Sequence, residues 1–150
     1  MRQCLWGDLD YLVLDLPPGT GDIQLTIVQT VSLDASVIVT TPQEVALIDA
    51  RKAAGMFRKV NVPISGIIEN MAWFECAHGE KYPIFGEGGG AIEAARLGVP
   101  LLAQIPLDIT TRQRSDQGQP IATLDPAGNT ISAAFATLAD SLIQIISRGA

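Results

Sequence analysis

Long apolar runs are missing from this sequence. The longest last only a few residues, whereas crossing a bilayer takes about 20. The opening MRQCLWGDLD has no apolar core of signal-peptide length ahead of its first acids. Both absences point to a cytoplasmic protein without a membrane partner. Cysteine is scarce: Cys4 and Cys76 lie far apart, so there is no disulfide framework, and each is a free thiol, a buried filler or a ligand. There is one histidine, His78, and no G-x-S-x-G elbow, which leaves triad hydrolase chemistry without a context. Cations number 10 against 16 acids, for a net charge of -6, and they are scattered. Phosphate binding by counterion release needs clustered Lys and Arg, so nucleic acid is not an expected partner. Finally, no G-x-x-x-x-G-K-S/T occurs, so nothing in the chain reads as a loop that wraps the phosphates of a nucleotide.

What is present describes one ordinary domain with a large interior: 150 residues, 47% apolar and 17% charged. Residues 11–16 (YLVLDL) read as a strand buried on both faces, and 23–31 as a helix with Asp22 placed to cap it. The β-branched run 35–40 is a second strand. Residues 42–60 form a long helix, with Pro42 near its start, Glu44 in its first turn and Arg58 and Lys59 at the end where the dipole favours cations. Its run RKAAGMFRK is a solvated face rather than a binding patch. A third strand is expected over 63–70, interrupted by Gly66, then an irregular excursion over 71–90 with a small hairpin in KYPIF. A short helix at 91–97 closed by Gly98, a strand at 99–105, polar turns to 129 and an amphipathic helix at 130–147 complete the chain. The alternation predicts an α/β fold, a parallel sheet with helices on both faces, whose ligands sit beyond the strands' carboxyl ends. Asp15, Thr41, Asn70 and Pro106 then share one rim.

The stretch YLVLDLPPGTGD has two readings. An acid ending an apolar strand is well placed to hold Mg2+, which prefers hard oxygen ligands, and Gly19 and Gly21 leave backbone amides free to approach a phosphate. Alternatively, Asp15 and Asp22 cap the following helix while the glycines relieve strain. The other glycine cluster, GEGGG at 86–90, lacks a lysine and follows a loop.

Four segments, WGDLDYLVLDLPPGTGDIQLT, VIVTTPQEVALIDARKAAGMFRKVNVPISGIIENMAWF, YPIFGEGGG and IPLDITTRQRSDQGQPI, carry a resemblance. In this order they closely resemble the C-terminal half of the Mrp-type iron–sulfur cluster carrier ATPases, in the MinD/ParA class of P-loop proteins. The likeness runs over nearly the whole chain, from Trp6 to Leu142. It implies that Asp15 is the Walker B acid, with a catalytic role on the Mg2+ side. It implies that Pro18, Gly19, Thr20 and Gly21 bind nucleotide, 19–21 forming the switch region. Asn70 matches the asparagine that recognises adenine, and Pro106 and Asp108, within IPLD, match the loop flanking the base. The family's phosphate loop precedes this motif, so residues 1–150 are expected to be a partial P-loop domain from Walker B onward, with 71–90 its cluster and dimer loop.

The resemblance also implies cofactors and partners: ATP, Mg2+ and a [4Fe-4S] cluster held by C-x-x-C after the N-M-S-x-F segment, four thiolates coming from a homodimer. Here the segment reads NMAWFECAHGE, with Cys76 present and Gly79 in the second place, so each subunit offers one thiolate. His78 at i+2 is an awkward second ligand, Cys4 precedes the matching region and reads as a buried small residue, and Trp73 and Phe74 suit a dimer contact. The implied function is cluster binding and transfer to iron–sulfur apoproteins, alongside cluster scaffold proteins, coupled to ATP in the full-length protein. The alternatives are a non-catalytic binding or dimerisation module on the same fold, and a MinD/ParA-like positioning ATPase. The terminal DSLIQIISRGA lacks the basic amphipathic character of a membrane-targeting tail.

Overall fold

The computed structural model describes residues 4–17 and 21–149. Its sheet is built around one long strand. β2 (Ile64–Glu75) pairs in parallel with β1 (Ser36–Thr40) on one side and with β4 (Leu101–Leu107) on the other, and its far end pairs antiparallel with the short β3 (Lys81–Tyr82). Between the strands run α2 (Glu44–Lys59) and α3 (Gly89–Leu97). α1 (Asp22–Thr30) precedes β1, and α4 (Ile109–Asp116) and α5 (Thr130–Gly149) follow β4.

Side chains alternate across the sheet and so serve two cores. Ile38 and Ile67 face Ala50 and Ala54 of α2 and Ala94 of α3. Ile68 and Ile105 face Ile131 and Leu138 of α5 together with Ile121. Helices therefore cover both faces, as the strand and helix alternation predicts. A third cluster, Val28 with Met56, Phe57 and Val62, packs α1 against the end of α2.

Gly66 does not interrupt β2. The carbonyl of Pro100 and the Leu102 side chain approach so closely that a Cβ at 66 would lie 2.6 Å from both, so glycine permits the β2–β4 contact. β2 also runs on to Glu75, past the expected end at 70, and the hairpin joins it to β3 rather than forming within KYPIF. The region 71–90 is thus partly regular. α4, missed in the polar stretch, starts where the Asp108 carboxylate accepts hydrogen bonds from the Thr111 N–H and hydroxyl.

The largest departure is at 11–16, which forms no strand. Tyr11, Leu12 and Val13 are exposed, and of this run Leu16 joins the α1–α2 cluster. Apolar composition makes a strand only beside a ladder partner. β1 pairs with β2 alone among the described strands, and its Val39 is 60% exposed. The window Thr130–Ser147 of α5 is long and apolar enough by composition to cross a membrane although it holds no long unbroken apolar run; here it lies along the sheet.

Candidate functional site

Because β1, β2 and β4 are parallel, their carboxyl ends form one rim. Thr41 follows β1, Asn70 pairs with Ile105 across β2 and β4, and Pro106 and Asp108 come next. The expected base-side residues Asn70, Pro106 and Asp108 are therefore brought together by the topology. Asn70 is half-buried and its Oδ1 accepts the Met71 N–H at 3.0 Å. Met71 has φ +54°, and the ladder slips here, Asn70 pairing with Ile105 but Phe74 with Leu107. A non-glycine residue in the left-handed region at a ladder slip marks a bulge that re-aims the strand. Asp108 is engaged as the cap of α4.

The phosphate side is different. Asp15 is exposed and lies in the stretch without a strand. Pro18, Gly19 and Thr20 lie outside the described residues. Gly21 is the N-cap of α1, in extended conformation, and its carbonyl accepts from the Leu25 N–H. Asp22 is the first helical residue and does not cap; its carboxylate favours the helix dipole instead. The buried Gln24 donates from Nε2 to the Pro17 carbonyl at 3.0 Å, tying Pro17 to the helix.

A residue that sequence reasoning passed over anchors the middle of the rim. Glu69 is fully buried, accepts the Gly90 N–H at 2.5 Å at the start of α3, and accepts Gln104 Nε2 of β4 at 2.7 Å. A Cβ on Gly90 would meet Glu69 at 2.8 Å, and one on Gly89 would meet the Pro42 carbonyl at 2.6 Å. The GEGGG run thus seats a helix against two strand ends rather than cradling a phosphate. The available signal was an acid inside an apolar strand, which must find donors when buried. Glu93 on α3 is buried in the same manner. Arg51 of α2 donates to it at 2.8 Å and also to Glu44 at 2.6 Å, and these two carboxylates raise the Arg51 pKa, Glu44 the more.

Cys76 opens the turn between β2 and β3. Its N–H donates to the Glu80 carbonyl and its carbonyl accepts the Gly79 N–H, both at 3.0 Å, with Gly79 at φ +81°. The polar groups around the sulfur, the His78 backbone amide first and then that of Glu80, with smaller influences from its own amide and the Tyr82 hydroxyl, favour its charged form. They hold the thiol pKa below its ordinary 9.0 although partial burial pushes it up. His78 is exposed and serves Cys76 with its main chain. Cys4 is exposed, not the buried filler expected, because the terminal segment around it packs against no core.

Between the hairpin and the start of α3 lies an open cavity of about 350 Å³ whose walls include Glu69, Trp73, Lys81, Glu87 and Gln104. The Lys81 ammonium sits 4.3 Å from the centre of the Trp73 ring.

The donor set fits the implied groups in part. The rim groups Asn70, Pro106 and Asp108, the residues expected on the base side, whereas Asp15, the carboxylate expected on the Mg2+ side, is exposed and in no strand, and no G-x-x-x-x-G-K-S/T loop occurs. No group of three or more His, Cys, Asp or Glu among them is arranged to hold a metal ion.

Comparison with known proteins gives a consistent picture. A family model of the ParA group, described as NUBPL iron-transfer P-loop NTPase, matches residues 1–143. The iron–sulfur cluster carrier protein of Pseudomonas fragi is 55% identical over 127 residues, covering 84% of this chain and 44% of that protein. The iron–sulfur cluster transfer protein NUBPL of mouse is 44% identical over 145 residues, covering 96% and 45%. Among solved structures, a nucleotide-binding protein of Archaeoglobus fulgidus in complex with ADP is 42% identical with a TM-score of 0.68, over 76% of this chain and 47% of that one. The cell division ATPase MinD of Pyrococcus furiosus, 24% identical with a TM-score of 0.56 over 75% and 43%, shares the fold. The chain spans less than half the length of each of these relatives.

Proposed function

The chain belongs to the ParA family of NUBPL-type iron-transfer P-loop NTPases, and from that premise we propose that it is the Walker B-onward part of one such domain and takes part in carrying iron–sulfur clusters to apoproteins. The observation that carries the reading is the Cys76 hairpin. A single strand, β2, bears Asn70 at the rim and leads directly into a turn whose amides favour a thiolate at Cys76. Thiolate is the form that ligates iron. With one such residue per chain, two copies bring two thiolates to one cluster, and the half-buried Trp73–Phe74 end of β2 is the expected contact surface for a homodimer. Recipient apoproteins and scaffold proteins are the expected partners.

Nucleotide belongs to the same reading. Asn70, Pro106 and Asp108 take the base side, Asp15 the Mg2+ side, and the 18–21 turn follows the phosphates. Bound ATP with Mg2+ would supply the free energy of phosphate release to move that turn. Catalysis in this chemistry comes almost entirely from phosphate positioning. The described residues contribute little of that, so ATP hydrolysis by these 150 residues is expected to be undetectable. Steady hydrolysis that disappears in Asp15→Ala would overturn that half of the proposal.

The cluster half is tested by anaerobic reconstitution of the chain and of Cys76→Ala, read by visible absorbance and iron content. Loss of bound iron in the variant is the expected result. Equal iron in both would remove Cys76 from the ligand set. A second reading, a non-catalytic binding module, is favoured by one feature, the placement of Asp15 outside the sheet. It predicts that the chain dimerises or binds partners with iron and nucleotide both absent.

A further inference from the structure

The turn that carries Cys76 also carries a carboxylate. Phe74 stands opposite Tyr82 and Glu75 opposite Lys81, and the Cys76 N–H donates across the turn to the Glu80 carbonyl at 3.0 Å, so Cys76 and Glu80 are the next opposed pair. Residues opposite one another in an antiparallel pair project to the same face, with Cβ atoms about 4.5–5.5 Å apart. Cys76 and Glu80 therefore share one face of the hairpin with Phe74 and Tyr82. Trp73, Glu75 and Lys81 take the other, where the Lys81 ammonium lies over the Trp73 ring. Tyr82 orients the carboxylate: its hydroxyl donates to Glu80 Oε2 at 2.6 Å, and Oε1 has no partner among the described residues. The same hydroxyl stands near the Cys76 sulfur. A thiol and an oriented carboxylate with one open oxygen are thus side by side at the hairpin tip, and Glu80 is exposed.

We infer that Glu80 is a second iron ligand, its carboxylate binding beside the Cys76 sulfur, so that two copies of the chain present two sulfurs and two oxygens to one cluster. This assignment rests on the proposed cluster-carrier role and deepens it. Iron–sulfur clusters of the two-iron and four-iron kinds take four protein ligands, and a non-sulfur group can stand in for two of them. Carboxylate oxygen joins sulfur in mixed ligand sets of first-row metals, and a ligating carboxylate is itself held by hydrogen bonds, which is the service Tyr82 performs. Oxygen is harder than thiolate and is the weaker ligand for cluster iron. A recipient's thiolate can therefore displace Glu80 first. The Fe–O bond breaks as an Fe–S bond forms, anion for anion and with no change of oxidation state, and the freed carboxylate keeps its hydrogen bond to Tyr82. Glu75 adjoins Cys76 in sequence but projects from the opposite face, so it takes no part.

The test reconstitutes the whole chain anaerobically with ferrous iron and sulfide, then follows the loss of visible absorbance and bound iron to excess EDTA. Glu80→Gln should release iron at least about tenfold faster than the parent, Tyr82→Phe faster by a smaller factor, and Glu75→Gln at the parent rate. Glu80→Cys puts sulfur where oxygen was and should hold iron longer than the parent, with stronger sulfur-to-iron charge-transfer absorption. Positions 75, 80 and 82 are exposed, so unchanged circular dichroism is expected in each variant. Three outcomes overturn Glu80 as a ligand while leaving Cys76 in place: release from Glu80→Gln at the parent rate, equal acceleration by Glu75→Gln, or no slowing in Glu80→Cys. A parent chain that takes up no iron, or Cys76→Ala that takes up as much as the parent, overturns the cluster-carrier role and the Glu80 assignment with it.

Discussion

Replacing Glu69 by leucine removes a carboxylate that joins three elements at the centre of the rim. In the native chain its two oxygens accept from the Gly90 N–H at 2.5 Å and from Gln104 Nε2 at 2.7 Å, and the side chain is fully buried. Leucine has similar reach but accepts nothing, so both donors lose their partner. The Gly90 N–H is buried and the loss of its acceptor costs about 1–3 kcal/mol, whereas Gln104 is exposed and can turn its amide to water. Leucine keeps the buried aliphatic contacts of the glutamate stem, so the net loss is about 1–3 kcal/mol if the helix stays in place. For a domain of this size that corresponds to a fall of roughly 2–12 °C in Tm. Urea unfolding monitored by circular dichroism gives the free energy, and hydrogen exchange gives its location. The Gly90 amide should lose most of its protection while amides in the middle of β1 lose no more than the global decrease. Glu69→Gln, which keeps one acceptor for Gly90, should retain that amide's protection. The reasoning fails if Glu69→Leu is as stable as the parent, or if Gly90 exchanges at the same rate in both.

Three further outcomes are expected. In a Cys4→Ser background, alkylation of Cys76 by iodoacetamide should persist to lower pH in the folded chain than in the urea-unfolded chain, because His78 and Glu80 amides favour the thiolate; Tyr82→Phe should move the folded profile part of the way back. By linkage, the depressed thiol pKa adds stability above the unfolded thiol's pKa, and that contribution is lost as pH falls through the folded value. Gly66→Ala, whose Cβ would lie 2.6 Å from the Pro100 carbonyl, should lower the unfolding free energy by about 1–3 kcal/mol. Gly55→Ala, with no atom within 4 Å, should raise the urea midpoint, worth roughly 0.5–1 kcal/mol in a helix interior.

Much of the framework was readable from pattern. The β-branched run at β1, the long helix α2, the strand that carries Asn70 and the stripe of α5 each carry their own signal, and the parallel arrangement they imply brings Asn70 and Pro106 to the same rim. The failures have physical causes. Residues 11–16 have the composition of a strand, yet pairing is a property of the neighbour and not of the segment. α4 is polar throughout and owes its start to one aspartate, which periodicity does not weigh. Glu69 escaped notice because glutamate is exposed by default, and its donors come from residues 90 and 104, far along the chain. The thiolate-favouring surroundings of Cys76 come from backbone amides in a tight turn, whose directions no residue type reveals.

The position of β2 bears on how the chain is made. It is hydrogen-bonded to β1, β3 and β4 alike, and β1, α2 and β2 leave the ribosome in that order. Residues 36–75 can therefore pair as a unit while β4 is still unsynthesised, and α3 and β4 are laid onto a surface that already exists. During that interval the face of β2 destined for β4 is a raw strand edge, open to pairing with another nascent chain. The sheet grows outward from its middle, so the pace of translation beyond residue 75 sets how long that edge stays uncovered.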